Sequence, residues 1–364
     1  MGVKIQELIQ RTPLNLADLA GTTIAIDGPN IIFSLFSFSY KNQQFDFSHS
    51  MTDRTQRVIS HLYGLLYRIN FFYNKKILPL FCFDGRVSDL KRLITKDQLQ
   101  DFQVTQKWYR EAIVQGNLEK ARQIALGKEF LWPNIIQESK KLLNALGVPY
   151  IESPASAESQ CAYLVKKKLV HYANSQDFDS ILFGCPRIIQ NLSKSSRRKV
   201  QGKWVYTKIT PLLINLASTL QTLQLDQFQL VDIALLLGTD YNAGVKNIGP
   251  KTALFLIKKY HSLEKVILSE KNKFDFSHLT DEMIQQVRKI FLFPDVLETT
   301  VSLQWNIPYR EKVLELLCGD HTLNKERIEN NLEKVIKNYS KCVKYFEQLN
   351  IKPRLVQKTL DSSF

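Results

Sequence analysis

A chain of 364 residues can bury one large core or two, and without an apolar run of about 18 residues it offers no candidate membrane-spanning helix. Its 49 Lys and Arg against 35 Asp and Glu give a formal charge of +14, which favours a polyanionic partner such as nucleic acid. Five cysteines without a CxxC pair argue against a disulfide framework and imply a reducing compartment. Six histidines without zinc spacing point any metal site toward a hard, oxygen-liganded cation. The opening Met1-Gly2-Val3-Lys4-Ile5-Gln6-Glu7 is too polar for a signal peptide, and Gln6 stands where a myristoylation signal needs Ser or Thr, so a soluble intracellular protein is expected.

In chain order, Leu8, Ile9 and Leu16 suggest a short amphipathic opening. The run Thr22-Thr23-Ile24-Ala25-Ile26 reads as a strand that stops at Asp27-Gly28-Pro29-Asn30. From about Arg54 to Phe72, Val58, Leu62, Leu65, Leu66 and Ile69 recur at helical spacing, and the apolar run Ile77 to Phe83 ends at Asp84-Gly85. Strand, helix, strand predicts a βαβ unit with parallel strands, in which Asp27 and Asp84 would be neighbours at the carboxyl ends where ligands sit. Each Asp followed by Gly equally fits a simple turn.

Residues 88 to 132 interleave Lys91, Arg92, Lys96, Lys107, Arg110, Lys120, Arg122 and Lys128 with Phe102, Trp108, Tyr109, Phe130 and Trp132 on a poor apolar stripe. Such helices are expected to project from the core and suit a single nucleic-acid strand, or else to form a solvated pair lying loosely on the domain. Pro133 to Leu146 predicts a core helix closed by Gly147. Ser156 and Glu158 open an apolar helix, where capping and the helix dipole would also explain both residues. Leu169 to Ala173 reads as a short buried strand leading to Asp177-Phe178-Asp179. Two carboxylates at i and i+2 on extended backbone point the same way and repel unless a cation sits between them, although Asp-x-Asp also serves as a turn or helix cap.

Cys185 to Thr207 resembles a hairpin with Lys194, Arg197, Arg198, Lys199 and Lys203 in its loop. Asp226 caps a helix that stops at Gly238 and delivers Asp240, and Pro250 starts the next helix after a short loop. Helix, hairpin, helix with exposed amides and lysines can hold a phosphate backbone without reading bases. The remainder to about residue 348 is expected to be helical with short loops.

Six acids thus fall at loop or helix-start positions. Their order and surroundings resemble the flap endonuclease family of structure-specific 5′ nucleases over essentially the whole chain. The matching stretches are Met1-Gly2-Val3, Ala25-Ile26-Asp27, Phe83-Asp84-Gly85, Gly147-Val148-Pro149-Tyr150, Ala157-Glu158, Asp177-Phe178-Asp179, Leu237-Gly238-Thr239-Asp240-Tyr241 and Ile248-Gly249-Pro250-Lys251. The resemblance implies an archaeal-type enzyme of α/β class, its mostly parallel central sheet flanked by helices in the 5′ nuclease or PIN-like manner. Residues 1–87 and 133–225 would form the nuclease domain, 88–132 a helical arch, and 226–348 a helical DNA-binding region with a helix-hairpin-helix. Residues 349–364 would be a mobile tail with a sliding-clamp (PCNA) peptide anchored by Gln357, Leu360 and Phe364.

It further implies two Mg²⁺ ions, for which Mn²⁺ can substitute, on Asp27, Asp84, Glu158, Asp177, Asp179 and Asp240. Lys91 would be the catalytic basic residue of the arch next to the scissile phosphate, with Lys96 close enough to supply the second. DNA contacts would come from Gly2, Phe33, Arg68, Gly244, Val245, Ile248, Gly249 and Lys251. The implied reaction is hydrolysis of branched DNA at a 5′ flap junction, with 5′ exonuclease action, in replication and repair. A monomer is expected, near the nucleoid in an archaeal cell or in a eukaryotic nucleus.

The chain departs from the family pattern at four places. Ser156 stands where a further Glu is usual, Gln98 replaces the second arch base, Asn247 replaces the first hairpin glycine, and Ser363 replaces one of two terminal aromatics. Ser156 and Gln98 motivate a rival reading, a clamp-tethered flap-binding protein with weakened catalysis. The acids argue against it, because a pure binder gains nothing from carboxylates that repel a phosphate backbone.

Overall fold

The computed structural model describes residues 3–36, 39–41, 44–46, 50–85, 96–192, 195–200, 203–298 and 303–349, and their side chains except at 39–41, 44–46, 96–101, 128, 195–200 and 203–208. The order begins β1 (Thr12–Pro13), a 3-10 turn (Leu16–Leu19), β2 (Thr22–Asp27), α1 (Gly28–Phe33), β3 (Ser39–Lys41), β4 (Gln44–Asp46), α2 (Ser60–Asn74) and β5 (Ile77–Phe83). It continues through α3 (Lys96–Val114), α4 (Leu118–Leu126), α5 (Lys128–Ala145), β6 (Tyr150–Glu152), α6 (Ala157–Lys166), β7 (Tyr172–Asn174), α7 (Asp179–Leu182), β8 (Arg187–Gln190), β9 (Ser195–Val200), β10 (Lys203–Lys208) and β11 (Leu212–Asn215). The rest is helical in two blocks: α8 (Leu216–Leu223), α9 (Gln227–Leu237), α10 (Pro250–Tyr260), α11 (Leu263–Glu270) and α12 (Asp281–Leu292), then α13 (Arg310–Leu314), a π-helical turn (Glu315–Asp320) and α14 (Lys325–Gln348).

One seven-stranded sheet carries the fold, in the order β1-β11-β8-β7-β2-β5-β6. The five strands from β8 to β6 run parallel, and β11 pairs antiparallel with both β8 and β1. The central strands read as continuous apolar runs because both faces are covered, and all seven residues of β5 are buried. Ile24 and Ile26 face one core with α1, α2, α5, α13 and α14, while Ala25 faces the other with α6, α7, α9, α10 and α12. Pro79 is tolerated within β5 because β6 pairs only with Phe81 to Phe83. On that side its carbonyl accepts the indole N–H of Trp305 at 2.7 Å instead of a strand.

The βαβ expectation holds, with β2 and β5 paired in parallel. Several local expectations change. The helix anticipated from Arg54 starts at Ser60, because Asp53 folds the preceding residues into a turn by accepting the amides of Thr55 and Arg57, each at 2.9 Å. The segment Cys185 to Thr207 holds β8 of the main sheet as well as the hairpin β9–β10, whose strands supply its basic residues. The helix placed at Pro133 begins at Lys128, with the proline inside it.

No short loop between helices follows α12: the described residues 293–298 and 303–309 are irregular, and the latter run along the sheet edge, with Asn306 donating to the Gly147 carbonyl at 2.8 Å and Tyr309 to that of Ala145 at 2.8 Å. Gly147 has φ of 67°, and an added Cβ would stand 2.3 Å from the Asn306 carbonyl oxygen, so both conformation and space require glycine there.

The α3–α4 unit has its own core, contrary to the reading of an exposed aromatic-basic surface. Phe102, Tyr109, Ala112, Ala121, Ala125 and Phe130 are buried together, with the Tyr109 and Phe130 rings 4.8 Å apart. Small alanines let the helices approach closely while contributing little to a hydrophobic stripe, which is why the pattern looked poor. Trp108, 52% exposed, is the aromatic of this unit that remains open to a ligand, beside exposed Lys107 and Arg110.

Candidate active site

The sheet gathers the acids. Asp27 ends β2 and is the N-cap of α1, accepting the Asn30 amide at 3.1 Å, so it is a cap where a loop was expected. Asp84 follows β5 and accepts the Ala157 amide at 2.8 Å, which ties that strand end to the first turn of α6 and to Glu158. Gly85 passes so close to Ser153 that a Cβ would stand 1.7 Å from its carbonyl oxygen. Asp177 lies in a bend after β7, and Asp179 opens α7. Phe178 between them is helical in φ and ψ, so the pair is not on extended backbone as the sequence suggested. Asp179 accepts the Val3 amide at 2.9 Å, which pins the chain start across the site.

Two polar side chains that the sequence reading missed hold this arrangement. Ser175, 2% exposed, places its Oγ 3.0 Å from Asp27 Oδ2 and 3.1 Å from Glu158 Oε1, while accepting the Asp177 amide at 3.2 Å. A hydroxyl has one proton, so it donates to one of those carboxylates at a time. Asn30 donates from Nδ2 to Asp177 Oδ2 at 3.0 Å and accepts the Gln176 amide at 3.3 Å. Ser180 adds a second hydroxyl at 3.1 Å from Glu158 Oε1. Small hydroxyl or amide residues near Asp27, Asp177 and Asp179 in the chain were the available signal.

Electrostatics shows that the acids share one space. Burial and then repulsion from Asp84 push Asp27 up to about 7, despite hydrogen bonds from Asn30 and Ser175. Burial pushes Asp179 up to about 6, with Asp240 and Asp177 adding to it against the Val3 amide. Burial, Asp179, Asp27 and Asp177 hold Glu158 well above the usual carboxylate range. Tyr241 is raised too, by burial and by Asp179, Glu158, Asp240 and Asp84. All six acids therefore converge at the carboxyl ends of β2, β5 and β7 and the N-terminus of the α9–α10 hairpin.

An all-oxygen donor set crowded enough to resist ionisation fits a hard divalent cation. As they stand, no three His, Cys, Asp or Glu side chains among the described residues are arranged to enclose a metal ion. Ser156 is the N-cap of α6, its Oγ accepting the Ser159 amide at 3.1 Å.

Beyond the acids, α9 and α10 form the expected helix-hairpin-helix. Asp226 and Gln229 make a capping box, Gly238 turns the chain at φ 90°, and Asn247 adopts φ 67° at the position where glycine is usual. Gly244 lies against the Leu237 carbonyl, where a Cβ would stand 2.3 Å from the oxygen. Val245 and Ile248 are buried in the core, their amides donating to the Leu236 and Val245 carbonyls, whereas Lys251 is exposed on α10. Phe33 is half-buried, edge-on to Trp132 at 6.1 Å. Arg68 is half-buried on α2, its guanidinium 3.5 Å from the Leu192 carbonyl, and burial lowers it to about 10. Lys96 opens α3, its side chain not among those described. Gly2, Lys91, Gln357, Leu360 and Phe364 lie outside the described residues.

A mostly parallel sheet with six acids at its carboxyl edge, flanked by a helix-hairpin-helix, defines the class of acid-site α/β proteins that meet nucleic acid. Residues 1–102 match the XPG N-terminal domain and residues 147–240 the XPG I-region. The sequence is 37% identical to flap endonuclease 1 of Staphylothermus marinus, over 94% of this chain and 97% of that protein. It is also 37% identical to that of Thermococcus onnurineus, over 93% and 95%. Among solved structures, flap endonuclease-1 from Methanococcus jannaschii superposes with a TM-score of 0.69 at 26% identity, covering 93% of this chain and 99% of that one. The catalytic core of Rad2 in complex with a DNA substrate shares the fold at a TM-score of 0.62 and 22% identity, covering 91% and 97%. The chain belongs to the flap endonuclease family.

Proposed function

We propose that this protein is a divalent-metal-dependent nuclease that cuts DNA carrying a 5′ flap near the junction of single strand and duplex. The observation that carries the reading is the convergence of six carboxylates at one sheet edge, with Asp27, Glu158 and Asp179 held above the usual carboxylate range by burial and by one another. Membership of the flap endonuclease family supports the substrate class. It also supports the finer expectations of Mg²⁺, two ions and 5′ exonuclease action.

Asp84, Glu158, Asp177 and Asp179 would hold the metal, with Asp27 and Asp240 as bridging or water-mediated partners. Bound there, Mg²⁺ supplies an activated water and stabilises the leaving oxygen. The chain's own residues do the rest. Ser175, Ser180 and Asn30 fix carboxylate oxygens whose charges would otherwise drive them apart. Backbone amides at Val3 and Ala157 orient Asp179 and Asp84. Lys251, the Gly249 and Lys251 amides that flank Pro250 at the start of α10, and the turn at Gly244 would grip duplex phosphates. The α3–α4 unit, with Lys107, Trp108 and Arg110 exposed, would receive the single strand, assisted by Lys91 and Lys96. A clamp peptide at Gln357, Leu360 and Phe364 would tether the enzyme during replication and repair.

The test uses three end-labelled DNAs of one sequence: double flap, gapped and blunt duplex, each in Mg²⁺ with products mapped to the nucleotide. Cuts clustered within a nucleotide or two of the flap junction are expected. Equal degradation of all three would reject flap specificity, and binding without any cut would favour the rival flap-binding protein.

A further inference from the structure

A second buried polar cluster, separate from the acidic site, stands where the α3–α4 unit meets the body. His321, 1% exposed, follows the π-helical turn. Its Nδ1 lies 2.9 Å from Asp53 Oδ2, and its Nε2 lies 3.2 Å from Glu138 Oε1, an ion-pair contact off the ideal hydrogen-bond line. A neutral imidazole would turn a lone pair on one of these carboxylates, whereas the imidazolium presents an N–H to each.

The remaining groups close the cluster. Arg57 reaches Asp53 at 3.0 Å and Glu138 at 3.5 Å, and donates to the Asp320 carbonyl at 2.6 Å. His61 Nε2 stands 3.1 Å from Glu138 Oε2. Asp53 in turn builds the turn 53–57, accepting from the Thr55 hydroxyl at 2.8 Å as well as from the two amides. On this turn the α3–α4 unit is seated: Tyr109 donates its hydroxyl to the Thr55 carbonyl at 2.5 Å, and Arg122 donates to Gln56 Oε1 at 3.1 Å.

We propose that His321 is a positioning residue for the α3–α4 unit, holding Asp53, and through it the turn on which Tyr109 and Arg122 rest. Its consequence for cleavage rests on the flap-nuclease reading. Its structural content does not.

The charges give this seat a pH window. Burial disfavours the charged form of His321, but Asp53 and Glu138 outweigh it and hold its pKa above 6.5. Its contribution is complete below 6.5 and is lost as pH rises through the raised value. Burial holds His61 below 6.5 against the pull of Glu138, so its contribution is complete above 6.5 and falls as pH drops. Burial opposes ionisation of Glu138 and Asp53, yet the contacts with His321 keep both below the usual carboxylate range, and they fail only in stronger acid. The seat is therefore tightest near pH 6.5.

The test is hydrogen exchange of the full chain without DNA or metal from pH 5.5 to 9, expressed as protection factors, beside flap-cleavage rates. Protection of α3, α4 and residues 53–57 should peak near pH 6.5 and fall on the alkaline side by about tenfold, the effect of one charge-assisted contact. His321→Lys, a cation that does not titrate here, should remove the alkaline fall. His321→Gln should lower protection of both segments even at pH 6.5. Tyr109→Phe leaves the cluster intact and should loosen α3 and α4 while residues 53–57 keep the full profile, which keeps the test decisive if His321→Gln unfolds. A flat profile in the unaltered chain, or α3–α4 protection unchanged in Tyr109→Phe, overturns the proposal. Absent cleavage with the protection profile intact would reject the nuclease reading alone.

Discussion

The Ser156 hydroxyl accepts the amide of Ser159 at 3.1 Å, so the side chain two residues before Glu158 is committed to capping α6. Where the family resemblance places another carboxylate, this chain has a helix cap that keeps one proton to donate to a water. Replacing Ser156 with Glu exchanges a good cap for a poor one and adds a charge beside four buried or half-buried acids, Asp27, Glu158, Asp177 and Asp179. The Mg²⁺ concentration giving half-maximal cleavage should fall by on the order of tenfold, because affinity follows ligand charge. Thermal unfolding without metal should show a loss of about 1 kcal/mol.

Ser175→Ala removes the hydroxyl shared by Asp27 and Glu158 and leaves the Asp177 amide without its acceptor. Groups that orient metal ligands typically matter 10- to 100-fold in affinity or activity. We expect a loss of about tenfold in Mg²⁺ affinity, read by titrating cleavage. A stability loss of about 1–3 kcal/mol should accompany it, from the buried donor left unpaired.

The metal-free protein should lose stability as pH rises from about 4 to 7. Asp27 and Asp179 hold protons to about 7 and about 6 when folded, against the usual 3.8 when unfolded, so the folded state binds more protons across that interval. Bound Mg²⁺ relieves the same repulsion. The rise in melting temperature on adding Mg²⁺ should therefore grow between pH 5.5 and 8, measured by calorimetry with and without chelator.

The hairpin is backed by Arg288, whose guanidinium lies 2.7 Å from Asp232 Oδ1 with both side chains buried, while Asp232 Oδ2 accepts the Leu263 amide at 3.1 Å. This contact joins α9, α11 and α12. Arg288→Ala leaves Asp232 buried without its cation and should cost about 3–5 kcal/mol in urea unfolding. Asp232→Leu combined with Arg288→Met should recover most of that.

The strand-end acids were legible because parallel strands buried on both faces read as unbroken apolar runs that stop abruptly at Asp27 and Asp84. The helix-hairpin-helix was legible through Asp226, Gly238 and Pro250, whose backbone requirements are local. What escaped was non-local. Ser175 and Asn30 matter because the fold brings the ends of β2 and β7 together, so that Ser175 meets Asp27 across 148 positions and Asn30 meets Asp177 across 147. The core of the α3–α4 unit rests on alanines that carry no periodic signal, and the segment 303–309 is fixed by backbone hydrogen bonds to Gly147 and Ala145 that no side-chain pattern announces.

The most direct test of the central claim is Asp179→Asn beside the unaltered chain, with cleavage and binding of a labelled double-flap DNA measured separately in Mg²⁺. The amide retains an oxygen to accept the Val3 N–H, so the chain start stays pinned while one charge leaves the site. The account predicts junction cleavage by the unaltered chain, abolished in Asp179→Asn with flap affinity retained. Cleavage of equal rate in both proteins would contradict a metal site built on these acids.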